Sequence, residues 1–139
     1  MASGYRQIDH TGDIGIWVTA SDMRELFAMA ARAMFEIVAD LSVVRPKEKW
    51  PVAIEAEDTD ALLVRWLSEL NFMHITQEKL FCRFNIRELT GTRVVAEVFG
   101  ETIDPDRHTI YTEIKAVTFH GLHIRETAEG VEAQIIFDM

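Results

Sequence analysis

The chain has 139 residues, enough for one domain with its own hydrophobic core. Hydrophobic residues make up 48% and charged residues 27%, which is the balance of a folded globular protein and not of a disordered one. The 14 basic residues are outnumbered by 23 acidic ones, for a formal net charge of -9, and no three basic residues are adjacent, so strong direct binding to RNA or DNA is not expected.

Membrane, secretory and cysteine signals are missing from the sequence. No apolar run approaches the roughly 20 residues that a membrane helix needs, and the N-terminal MASGYRQ lacks the apolar stretch of a signal peptide. Cys82 is the only cysteine, which excludes an internal disulfide framework and a multi-cysteine zinc site. A cytoplasmic protein that does not engage membranes is therefore expected.

The first part of the chain predicts two short strands and then a long helix. Residues 5–9 and 14–20 have strand character, and the second run places Ile14, Ile16 and Val18 on one face at a period of two. Asp22 and Glu25 have the spacing of a capping box, and apolar residues at three-to-four spacing follow them. An amphipathic helix of roughly four to five turns is predicted after Asp22.

The remainder predicts a third strand, a second helix and four more strands. WPVAIEAE alternates in hydropathy, and Asp58 or Thr59 begins a helix with a broad apolar stripe. Strands are expected over about residues 80–89, 92–103, 112–124 and 131–138, with turns at Thr90–Gly91 and Glu129–Gly130. This order predicts a single domain over residues 1–139 of the α+β class, with two helices packed on a largely antiparallel β-sheet.

Two aspartates near opposite ends of the chain are candidate metal ligands. Asp13 lies off the apolar row of its strand, and Asp138 points away from the apolar row within AQIIF. The α-carboxylate of Met139 lies one residue from Asp138, so the two negative charges repel each other and a cation would relieve the repulsion. Oxygen ligands suit hard ions such as Ca²⁺ or Mg²⁺. The plainer alternative is that Asp13 caps a turn and that the chain end frays.

Histidines give weaker indications of chemistry. His10, in DHTGD, is a candidate general base or a group that orients a ligand, and with the two aspartates it could serve a metal-dependent hydrolase. His120 and His123 lack the further histidine or cysteine ligands of a zinc site. The sequence contains no Gly-x-Ser-x-Gly elbow, P-loop or Gly-x-Gly-x-x-Gly, so no self-sufficient catalytic set is visible.

Lys115 is a further candidate because of its position in a predicted strand. In TEIKAVTFHGLHI, a predicted core row contains Ile114, Ala116, Leu122 and Ile124, and Lys115 lies on the opposite face. The residues allow two interpretations. Lys115 either extends along the strand edge into solvent or presents a cation to an anionic group of a partner.

Several separated motifs, in a fixed order, give the sequence a resemblance to the archease family. They run from DHTGDIGI through ELFAMAARAMF, WLSEL and FGETIDPDRH to EIKAVTFHGL and the terminal IIFDM, which is nearly the whole chain. The sequence departs from the family at Gly12, where alanine is usual, and at Met139, where isoleucine is common. Neither departure removes a proposed ligand group.

The resemblance implies a function and assigns roles to residues. It implies a small accessory protein, not an enzyme, that activates the GTP-dependent RNA ligase of the tRNA-splicing (RtcB) type by promoting its guanylylation and repeated turnover. The alternative is a chaperone-like modulator of a tRNA methyltransferase. The family's divalent-metal site, commonly occupied by calcium, maps onto Asp13, Asp138 and the C-terminal carboxylate of Met139. With that mapping, we expect His10 to support Asp13 from beside the site. The family's activating lysine maps onto Lys115.

Overall fold

The computed structural model describes residues 3–10 and 12–139, with the backbone alone at residues 9 and 10. In chain order the elements are β1 (Gly4–His10), β2 (Asp13–Ala20), α1 (Met23–Val38), a short 3-10 helix (Leu41–Val43), β3 (Glu48–Glu55), α2 (Thr59–Gln77), β4 (Lys79–Leu89), β5 (Arg93–Thr102), β6 (Ala116–Thr127) and β7 (Gly130–Asp138). The predicted α+β class, with two long helices and antiparallel strands, is confirmed.

The strands form two antiparallel sheets, where the sequence had suggested one. The four-stranded sheet has the order β1-β2-β7-β6, and the three-stranded sheet has the order β3-β5-β4. In the four-stranded sheet the last strand of the chain lies between β2 and β6. The end of the chain is thereby placed beside its beginning.

Both helices begin where their capping residues predict. The Asp22 carboxylate accepts a hydrogen bond from the Glu25 backbone N–H, and the Asp58 carboxylate accepts one from the Ala61 N–H, each at 2.8 Å. These bonds satisfy N–H groups that have no partner within the first helical turn. Asp58 is therefore the cap of α2, and Thr59 is its first residue.

The core lies where the two helices meet the two sheets, since each helix contacts both sheets. Trp66 of α2 is fully buried and donates its indole N–H to the carbonyl of Phe27 in α1, at 3.0 Å. The four-stranded sheet contributes one face to this core, through Ile16, Val18, Ala133, Ile135 and Phe137. Within the described ranges, neither helix is long and apolar enough to cross a membrane.

The strand predicted over residues 112–124 begins later, at Ala116, and ends at Thr127. The predicted core row is wrong at Ala116, which is exposed, whereas the next residue, Val117, is buried. The alternation shifts because Ile114 lies outside the strand and is buried separately. A register shift between Thr118 and His123 interrupts the strand again.

Candidate metal site and the Lys115 segment

Asp13 and Asp138 are direct cross-strand partners in the β2–β7 ladder. Residues that pair in this way share one face of the sheet, and their Cβ atoms lie about 4.5–5.5 Å apart. Each neighbours a residue of the core-facing row, Ile14 on β2 and Phe137 on β7. The two aspartates that the sequence singled out are therefore brought together on the other face.

The aspartate pair is part of a row of cross-strand partners on all four strands, the aspartate row, which consists of His10, Asp13, Asp138 and Ala116. His10 pairs with Asp13 on one side, and Ala116 pairs with Asp138 on the other. Asp13 is half-buried, whereas Asp138 and Ala116 are exposed, so the row is open to solvent. The predicted role of His10 depends on its side chain, which lies outside the described residues.

Gly12 sits immediately before Asp13, and its backbone has a φ of +74°. Glycine adopts this left-handed region without the steric cost that a Cβ atom brings. The space around a Cβ at this position is open to 4 Å, so the backbone angle is what favours glycine.

Met139 is held against the body of the protein. Its side chain is half-buried and packs against the core cluster. The residue before it, Asp138, is paired on both sides, with Asp13 and with Ala116. A terminus anchored in this way differs from the frayed end that the residues alone left open.

The peptide group between Ile114 and Lys115 is hydrogen-bonded at both of its polar atoms. The Lys115 N–H donates to the carbonyl of Asp138, at 2.8 Å. The carbonyl of Ile114 accepts from the side-chain amide of Asn71, also at 2.8 Å. Lys115 itself is exposed. The structure thus places the backbone of Lys115 next to the aspartate row.

A buried ionic network anchors the start of the connection between β5 and β6. Glu101, only 4% exposed, accepts hydrogen bonds from the Arg107 guanidinium, from His108 Nε2 at 3.1 Å and from the Arg45 backbone N–H at 2.7 Å. The N–H of Asp104 donates to His108 Nδ1 at 2.8 Å, so Nδ1 is unprotonated and the ring proton lies on Nε2.

The same network sets the acidity of Glu101. Burial raises the pKa of its carboxyl group, but the hydrogen bonds from Arg107, Arg45 and His108 outweigh this effect and bring the pKa from 4.5 down to about 2. In the sequence, Glu101, Arg107 and His108 stand within the motif FGETIDPDRH, whereas Arg45 lies in a separate connection and was not predicted to join them. The usable signal was a group of charged and histidine residues directly after a buried strand.

The donor chemistry of the aspartate row fits a hard divalent cation. Like charges directly opposite each other on neighbouring strands repel, and a cation between them removes that cost. Carboxylate oxygens are ligands that Ca²⁺ and Mg²⁺ prefer, whereas zinc favours nitrogen and sulfur. Among the side chains of residues 3–8 and 12–139, no three from His, Cys, Asp or Glu are grouped so as to hold a metal ion.

Comparison with known proteins identifies the family. The model described as the Archease protein family (MTH1598/TM1083) matches residues 5–139. The chain belongs to the archease family. The matched residues include Asp13, Lys115, Asp138 and Met139.

Individual archeases are similar to this chain over almost their whole length. The archease of Methanopyrus kandleri is 35% identical over 138 residues, which cover 97% of this chain and 99% of that protein. The archease of Methanothermobacter thermautotrophicus is 37% identical over 139 residues, which cover 98% and 99%. The resemblance seen in the motifs is thus confirmed along the full domain.

Two solved structures resemble the fold. The solution structure of Methanobacterium thermoautotrophicum protein 1598 has a TM-score of 0.83 at 35% identity, covering 98% of this chain and 99% of that one. A crystal structure of an archease from Thermotoga maritima, described as a possible chaperone, has a TM-score of 0.62 at 21% identity, covering 96% of each chain. At that identity the second likeness concerns the archease fold alone.

Proposed function

We propose that this protein is a non-enzymatic accessory factor that activates a GTP-dependent RNA ligase of the tRNA-splicing (RtcB) type, promoting its guanylylation and multiple turnover. The observation that carries the proposal is the direct pairing of Asp13 with Asp138, beside a Lys115 whose backbone N–H is bonded to Asp138. The two carboxylates and the backbone of the exposed Lys115 therefore lie next to each other.

Asp13, Asp138 and the α-carboxylate of Met139 would hold the cation, Ca²⁺ or another hard divalent ion such as Mg²⁺. When bound, the ion would supply positive charge and open coordination positions for oxygen ligands of a partner. The ladder between β2 and β7 fixes the two aspartates, and the packed side chain of Met139 restrains the chain end. His10 would orient Asp13.

Lys115 would act on the partner and not on the metal. An ammonium group has three donors and no acceptor, so it cannot ligate a cation while protonated. It is suited to an anionic group of the ligase's guanylylation site, such as a nucleotide phosphate. Since its backbone is tied to Asp138, the ammonium and the cation would reach the same partner surface.

The charge of the chain supports a protein partner over direct RNA binding. A formal net charge of -9 disfavours contact with a phosphate backbone. In this proposal the ligase binds the RNA and GTP, and the acidic accessory protein docks on the ligase. Basic surface on that ligase would favour the encounter.

A three-way assay tests the proposal. The protein is added to a purified RNA ligase of this type, to a purified tRNA methyltransferase, and to phosphoester substrates alone, each with divalent ions and the appropriate RNA. We expect ligase turnover to rise in the first mixture only. A change in methyltransferase activity alone would identify the methyltransferase, and not the ligase, as the partner. Sustained phosphoester hydrolysis by the protein alone would make it an enzyme.

A further inference from the structure

We propose that Asn71 is a positioning residue for Lys115, because its buried amide fixes the peptide group that joins Ile114 to Lys115. This inference rests on the proposed function, in which Lys115 provides the activating cation. Asn71 lies on α2 and is buried, only 6% exposed. It would therefore act through the backbone and touch no partner.

Two hydrogen bonds fix the peptide group that precedes Lys115. The Ile114–Lys115 peptide group has its carbonyl held by α2 and its N–H held by β7, each at 2.8 Å. Two elements that are distant in the sequence, α2 and β7, thus hold one peptide group through its two polar atoms. Since Asp138 provides the second contact, the grip sets the position of Lys115 relative to the aspartate row.

The chain before Lys115 has little regular secondary structure to fix its position. Residues 103–115 form no helix or strand beyond the single bridge between Ala39 and Ile110. Tyr111 N–H bonds to the Val38 carbonyl at 2.7 Å, and the β6 ladder starts at Ala116. Between Tyr111 and Ala116, the hydrogen bonds that fix the backbone in the described part of the chain are those of the Ile114–Lys115 peptide group.

The amide group of Asn71 is chemically specific for this task. A carbonyl oxygen needs a donor, and a buried donor without charge avoids the desolvation cost of an ion. Leucine has a similar size but no donor, and aspartate would turn a carboxylate towards the carbonyl of Ile114. Replacement of Asn71 therefore releases the carbonyl while the outer surface stays unchanged.

His74 provides a matched control on the same helix. It is also 6% exposed, and its Nδ1 lies 2.8 Å from the carbonyl of Lys79, to which it must donate because a carbonyl only accepts. The variant His74→Leu removes a part-buried hydrogen bond from α2 to a backbone carbonyl, as Asn71→Leu removes a buried one. It does so at β4 and leaves the Lys115 segment untouched.

The experiment measures amide exchange and ligase activation on the full chain. We expect Asn71→Leu to accelerate exchange of the Lys115 amide proton about tenfold or more, and to lower stimulation of ligase guanylylation by roughly 10- to 100-fold, the range that a small misplacement of an active group produces. Calcium affinity should stay unchanged. His74→Leu should leave both readouts at the wild-type level. Asn71→Ala replaces Asn71→Leu if the latter does not fold.

A double variant separates positioning from general destabilisation. In a Lys115→Ala background, Asn71→Leu should cause no further loss of stimulation, because the group that it positions is already absent. An unchanged Lys115 amide exchange rate in Asn71→Leu, or an equal added loss in the double variant, would overturn the inference. If the wild-type protein fails to stimulate the ligase while Asn71→Leu still accelerates that exchange, the proposed function fails and the grip on Lys115 stands.

Discussion

Asp13, the first residue of β2, pairs directly with Asp138, the last residue of β7. The pairing joins the start of β2 to the end of β7, the two inner strands of the sheet, and places two aspartates opposite each other. Like charges directly opposite each other on neighbouring strands destabilise a sheet. The stability of the protein should therefore respond to a divalent cation.

Calcium should raise the melting temperature, and Asp13→Asn should remove most of that increase. A ligand that binds only the folded state stabilises it by about 2.7 kcal/mol at 100 times its Kd. Without calcium the variant should fold normally, because Asp13 lies off the core face. Thermal melts with and without calcium make the measurement. Glu48→Gln, an exposed carboxylate on the other sheet, is the control and should retain the full increase. An equal calcium response in Asp13→Asn would remove Asp13 from the site.

Lys115→Ala should reduce ligase activation about tenfold or more, which corresponds to about 1.4 kcal/mol in the activation barrier. Its calcium affinity should match that of the wild type, because the ammonium is not a ligand. Lys115→Arg shows whether charge alone suffices. Ligase turnover and calorimetric calcium titration give the two readouts, and Lys47→Ala is the control for loss of an exposed lysine. Full activation by Lys115→Ala would favour the interpretation of a solvated edge residue.

The position of the last carboxylate should matter more than the last side chain. In a protein prepared to end at Met139, Met139→Ile should be nearly silent, since it keeps the carboxylate and an apolar group to pack against the core. A few added glycines convert that carboxylate to a neutral amide, so calcium affinity and ligase activation should both fall. Matched N-tagged and C-extended proteins compared by calorimetry decide the matter. Equal affinities would mean that the chain end is not a ligand.

Glu101→Gln should be less stable than the wild type at neutral pH, by about 1–3 kcal/mol, because it weakens a buried hydrogen-bonded pair with Arg107. Glu101 has a pKa of about 2 in the folded protein, below its ordinary 4.5. Its carboxylate therefore stabilises the fold above about pH 4.5, and this contribution is lost as the pH falls towards 2. Urea unfolding across this pH range gives the free energy of unfolding of the wild type and of Glu101→Gln. Plotted against pH, the two curves should converge as the pH falls. Curves that stay parallel, as expected for Glu48→Gln, would contradict the network's role.

Local sequence signals predict the elements that depend on local chemistry. Asp22 and Asp58 fix the helix starts because a capping carboxylate acts within one turn. The face assignment of Asp13 follows from strand alternation, and the alternation holds in β2 because both its neighbours pair in regular register. The meeting of Asp13 with Asp138 required the strand order, which no local pattern contains.

The Lys115 segment shows where such reasoning fails. Alternation extended through Ala116 predicted a core position, but Ile114 is bound by Asn71 of α2 and the strand starts after it. The contact joins residues far apart in the sequence, so strand periodicity could not reveal it. The Glu101 network was missed for the same reason, since Arg45 and Arg107 come from different connections.

The most direct test of the proposed function is single-turnover guanylylation of a purified RNA ligase of the tRNA-splicing type, with GTP and divalent ions. The ligase is assayed alone, with the wild-type protein, and with the Asp13→Asn and Lys115→Ala variants. We predict that the wild-type protein accelerates formation of the ligase–GMP adduct and that both variants fail to do so. An adduct that forms at the same rate with and without the wild-type protein would contradict the assignment of this chain as a ligase activator.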